Sequence, residues 1–96
     1  MNKNDELKML YGAYYGVMEM DSYKTKEFVL QKIKLLINNY IEENNINNSK
    51  EIERLAKEQT LITKLQDSLY VLKNIDESLE LILLIKEKVN ILKHGR

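Results

Sequence analysis

The sequence predicts an all-α fold: a compact four-helix antiparallel bundle forming a single domain over residues 1–96. Three observations carry this. The chain contains no proline, so no fixed φ or missing N–H interrupts a helix. Apolar residues recur at three- and four-residue spacing over long stretches, the mark of helices with one buried face. Apolar residues make up 44% and charged residues 31% of the 96, the composition of a chain that folds rather than one that stays disordered.

The helices are predicted at about 5–20, 25–43, 49–73 and 76–93. In the first, Leu7, Leu10, Tyr14 and Val17 share one side. Asp21, Ser22 and Thr25 each offer an oxygen to the orphan N–H groups at the start of the second. Along that helix Val29, Ile33, Leu36, Ile37 and Tyr40 form the apolar face. The run NNINNS at residues 44–49 divides the chain, because Asn and Ser side chains compete for backbone partners and favour caps and loops. Asn48 followed by Glu51 has capping-box spacing, and Ile52, Leu55, Ile62, Leu69 and Leu72 make the stripe of the third helix.

In LELILLI, residues 79–85, six of seven residues are apolar, which alone would also suit a buried strand. The flanks favour a helix: Asp76, Glu77 and Glu80 come first and Lys86, Lys88 and Lys93 last, the order that complements the helix dipole. At 100° per residue the Leu55–Ile62–Leu69 stripe points roughly 160° away from Ile82, Ile85, Val89 and Leu92. A break near residues 73–76, capped by Asn74 or Asp76, resolves the mismatch. The alternative is one kinked long helix with one face on its own subunit and the other on a second copy.

The sequence narrows function mainly by what it lacks. Equal numbers of basic and acidic residues, fifteen each, supply none of the cationic surplus that phosphate contacts need, and neither half of the chain is a basic arm. With no cysteine there is no disulfide or thiolate chemistry. No secretory leader and no apolar run of membrane-spanning length is present, so the expected location is cytoplasmic, without membrane association. The lone histidine, His94, stands at the chain end. Glu-x-x-His spacing for a carboxylate-bridged metal pair is absent, as is a base to activate a Ser or Thr nucleophile. The acidic pairs Glu42–Glu43 and Asp76–Glu77 sit near helix ends, where such pairs are solvated. GAYYG at residues 12–16 has neither the preceding strand nor the following lysine of a phosphate loop. No enzyme, cofactor or metal is expected. Residues 51–69 have some of the spacing of a helix-turn-helix, but Thr60 replaces the turn glycine, Gln66 falls at an apolar position, and Lys64 is the only cation on the second helix.

Binding features remain. Met9, Gly12, Ala13, Gly16 and Met20 form a second side of the first helix, small in its middle. Two glycines in a helix cost about 0.5–1 kcal/mol each relative to alanine, and a bare groove offsets this by letting another backbone approach closely. That backbone belongs either to the bundle itself or to another chain; a broken helix is the third option. Neighbouring methionines and tyrosines, Tyr15 among them, suit an interface. On the second helix Lys24, Lys26, Lys32 and Lys34 precede Glu42 and Glu43, against the dipole, and Phe28 and Leu35 lie off the main apolar face. The expected partner-binding residues are Met9, Gly12, Tyr15, Gly16, Met20, Phe28, Lys32, Lys34 and Leu35.

The expected function is a non-enzymatic helical module that binds a protein partner, as a small bacterial or phage inhibitor, immunity or regulatory protein does. A homodimeric structural or regulatory protein is the alternative, and a weak DNA-associated transcription regulator the third reading, with nucleic acid the least expected partner. In size and helix content the chain is similar to bacteriocin immunity proteins and phage-encoded inhibitors of host systems, and no motif carries the likeness further.

Overall fold

Asn2 opens the first helix with its own side chain: Oδ1 accepts the backbone N–H of Asp5 at 2.8 Å, meeting one of the orphan donors of a helix start. The computed structural model describes residues 2–21, 24–76 and 78–95, and among them the chain forms five helices and no strand. They are α1 (Lys3–Met18), α2 (Lys26–Glu43), α3 (Ser49–Lys57), α4 (Leu61–Leu72) and α5 (Leu79–His94). The expected cap Ser22 and the acidic Glu77 lie outside the described residues.

The expectation of four helices is corrected to five, because the third breaks at residues 58–60. Thr60 is extended, with φ −66° and ψ 158°, and its hydroxyl accepts the N–H of Thr63 at 3.2 Å, starting α4 as a new helix. Burial explains the break. Ile52 and Ala56 bury one side of α3, whereas Leu65, Ser68 and Leu72 bury one side of α4. Those two sides are roughly 160° apart in an unbroken helix, so one straight rod would expose one of them. Leu55, assigned by sequence to the buried stripe, is exposed.

The other boundaries shift by a few residues. The first helix runs 3–18 rather than 5–20, and the last begins at 79 rather than 76. Its N-cap position is held by Ser78, not Asn74 or Asp76. Ser78 points backwards: its buried hydroxyl lies 2.8 Å from the Leu72 carbonyl oxygen and 2.7 Å from that of Ile75, so it ties the end of α4 to the start of α5. Asn48 and Glu51 form no capping box; Glu51 pairs with Arg54 at 2.6 Å on the surface. The asparagine loop turns at Asn45, whose φ of 52° is a left-handed conformation Asn tolerates.

α1 is the central helix. It packs most extensively on α4 and also meets α3 and α2, while α5 leans chiefly on α4. Leu7, Ala13 and Val17 of α1 meet Val29 and Ile33 of α2, Leu65 and Leu72 of α4, and Leu81 and Ile85 of α5 in one continuous core, all fully buried. At the C-terminal end of α1, where no basic residue of its own offsets the dipole, Lys26 of α2 reaches back. Its Nζ donates to Met20 O at 2.6 Å and Met18 O at 3.2 Å. One of the lysines that oppose the dipole of α2 thus complements that of α1.

Candidate protein-binding surface

The glycine groove of α1 is filled from within the chain. A Cβ built on Gly16 would overlap Ser68 Oγ and stand 2.5 Å from the backbone oxygen of Lys64. One built on Gly12 would overlap the Asp67 carboxylate and stand 2.9 Å from Gln59 Nε2. α4 therefore lies directly on the groove, and Ser68 Oγ reaches across it to the Ala13 carbonyl at 2.9 Å. Both glycines are buried, as is Ala13, while Met9 and Met20 are partly buried. The two-residue gap in side chains allows the two helix backbones to approach closely, which offsets the conformational cost of glycine.

Tyr15 is also turned inward. Its hydroxyl donates to Glu53 Oε2 of α3 at 2.5 Å, its ring meets Tyr14 edge-on at 5.4 Å and 87°, and Lys57 Nζ lies 5.3 Å from its ring centre. Burial, then the hydrogen bond to Glu53, pushes the Tyr15 hydroxyl well above the ordinary tyrosine range, so it remains a donor. Tyr15 with Tyr11, Tyr14 and Glu53 lines an open cleft between α1, α2 and α3. The five residues selected by sequence on and just after α1, Met9, Gly12, Tyr15, Gly16 and Met20, thus form no continuous free surface.

Those of α2 do. Phe28, Lys32, Lys34 and Leu35 are all exposed, Leu35 at 57%. The buried face of this helix is Val29, Leu30, Ile33 and Ile37; at 100° per residue Phe28 and Leu35 point almost directly away from it, with Lys32 and Lys34 on opposite flanks. Lys32 Nζ lies 5.2 Å from the Phe28 ring centre, a cation–π contact that holds the charge beside the apolar patch. Leu36, placed by sequence in the core face, is instead exposed and extends the patch. Beside it runs a groove of about 410 Å³, walled by α2 on one side and by Asn74, Ile75 and Asp76 on the other.

A second exposed apolar strip was missed in the sequence: Leu79, Leu83, Leu84 and Ile91 of α5. The signal was present, since six apolar residues in seven cannot share one helical face. The helix-turn-helix spacing does coincide with a chain break at Thr60, but α4 lies under α1, and only Gln66 and Tyr70 of its residues are exposed. Among the described residues no group of His, Asp and Glu could hold a metal ion, and no helix is long and apolar enough to cross a membrane. Comparison with known proteins finds no matching family model, no matching curated protein and no matching solved structure.

Proposed function

We propose that this protein is a non-enzymatic binding module whose outer α2 face captures a helix with an apolar docking face that carries acidic residues, in the manner of a small inhibitor, immunity or regulatory protein. The observation that carries this reading is the pattern of Phe28, Leu35 and Leu36 exposed together, with Lys32 and Lys34 exposed among and beside them. A helix laid on that patch would desolvate its aromatic and leucine side chains, and the flanking lysines would set orientation and favour acidic partners.

A synthetic amphipathic helical peptide, with leucine on one face and glutamate on its flanks, is the probe. Fluorescence anisotropy should show saturable binding that weakens with salt and is lost in the Phe28→Ala, Leu35→Ala double variant. Because both side chains are exposed, that variant should keep its folding stability within about 0.5 kcal/mol of the parent. Absence of binding, or binding indifferent to these substitutions, rejects the reading.

A further inference from the structure

The outer face of α5 is the counterpart of the outer face of α2. Leu79, Leu83, Glu87 and Ile91 follow one another at four-residue spacing and so form a single ridge along α5. All four are exposed, Leu79 at 70% and Leu83 at 55%. Leu84 and Glu80 border this ridge, and both acidic residues of α5, Glu80 and Glu87, lie in its arc. Lys86, Lys88 and Lys93 fall to its two sides. The buried side of α5, Leu81, Ile85 and Val89, is already used in the core, so the ridge is a second apolar face that the chain itself leaves uncovered.

On α2 the equivalent ridge is Phe28, Lys32 and Leu36. Both ridges read apolar, charged, apolar: Phe28–Lys32–Leu36 on one and Leu83–Glu87–Ile91 on the other. Each spans nine residues, about 12 Å of helix from first to last, and the central charges have opposite sign. The groove shared by Phe28 and Leu36 with Ile75 and Asp76 places the α2 face next to the turn from which α5 starts. A twofold axis that lays each α2 ridge on the α5 ridge of the other copy would engage both contacts at once, the self-complementary arrangement of an isologous dimer.

We infer that the helix captured by the α2 face is α5 of a second copy of this chain, with Lys32 set against Glu87 and the leucine ridges interleaved around them. This rests on reading the α2 face as a docking surface and names its occupant.

The test is a charge exchange followed by sedimentation. The wild-type 11.4 kDa chain should sediment as a dimer at high micromolar concentration. Lys32→Glu and Glu87→Lys, each alone, place like charges in both contacts of the dimer and should weaken pairing about tenfold or more. An equimolar mixture of the two variants restores opposite charges at both contacts and should recover the dimer. Both positions of this test are exposed on helices, and unchanged far-ultraviolet dichroism verifies folding. A wild-type dimer indifferent to either exchange, or variants that fail to rescue one another, overturns the inference. A wild-type monomer that still binds the acidic peptide also overturns it while leaving the α2 reading in place; a monomer that binds neither removes both.

Discussion

Ser68 and Gly16 occupy each other's space: the serine hydroxyl stands where the first carbon of any larger residue at position 16 would have to go. The same hydroxyl lies 2.9 Å from the Ala13 carbonyl and 3.0 Å from that of Lys64, so one small polar group joins the two most extensively packed helices. Close approach and hydrogen bond depend on each other here, since a longer separation would place Ala13 O out of reach.

The two glycines should therefore respond differently to alanine. At Gly16 the new methyl meets the backbone of Lys64, which can give way only by lifting α4 from α1. Gly16→Ala should cost about 2–3 kcal/mol by chemical denaturation. At Gly12 it meets the ends of the Asp67 and Gln59 side chains, which can rotate aside, and helix propensity returns about 0.5–1 kcal/mol. Gly12→Ala should fall within about 1 kcal/mol of the parent. Equal losses at the two sites would show that the contact is not governed by the Lys64 backbone.

Asp67 gives a dependence on pH. Burial raises its carboxyl above the ordinary aspartate range, against smaller opposing effects of the Gln59 amide, whose Nε2 donates at 3.1 Å, and the charge of Lys8. With the folded value above the unfolded one, the folded state holds more protons between them, so stability falls as pH climbs through that interval and stays lower at neutral pH. Asp67→Asn preserves shape and acceptor without the charge. It should raise Tm at pH 7, with the gain shrinking as acid protonates the parent's carboxylate. A lower Tm for the asparagine variant at pH 7 would contradict this account.

Ser78 governs how firmly α5 is held. Replacement by alanine removes the hydroxyl shared by the Leu72 and Ile75 carbonyls in a buried setting and should cost about 1–2 kcal/mol. Because α5 leans chiefly on α4, the loss should be local first. Hydrogen exchange in residues 79–94 should accelerate more than in α1, and uniform acceleration throughout the chain would argue against a hinge at this joint.

Lys26 makes an electrostatic prediction at the C-terminal end of α1. Lys26→Met keeps most of the apolar stem but removes the cation from the C-terminal carbonyls of α1, and should cost about 1 kcal/mol at low salt. The difference should narrow as salt is added. A loss that persists unchanged at high salt would point to packing instead of charge.

The chain's periodicity was enough to specify helices, because a 3.6-residue repeat of buried positions is a local property. It was enough to break the chain at the asparagine run, and enough to separate α4 from α5, since stripes facing opposite ways cannot share one straight rod. The same reasoning applied to Ile52 and Ala56 against Leu65 and Leu72 reveals the break at Thr60. It was hidden by Leu55, Ile62 and Leu69, which offer an equally regular stripe along a helix that does not form.

Phe28, Lys32, Lys34 and Leu35 were legible as an exposed group because they stand off the apolar stripe of their own helix. The destination of the glycine groove was not. Helix 1 is apolar on two sides, and a sequence records that both need cover without recording which neighbour covers them. That assignment comes from packing at a distance: α4 lies 55 positions along the chain at the Ser68–Ala13 contact, and no local propensity selects it over a second molecule. Local pattern decided what is helical and where each helix is greasy; the order in which five helices compete for one small core decided which greasy faces were left outside.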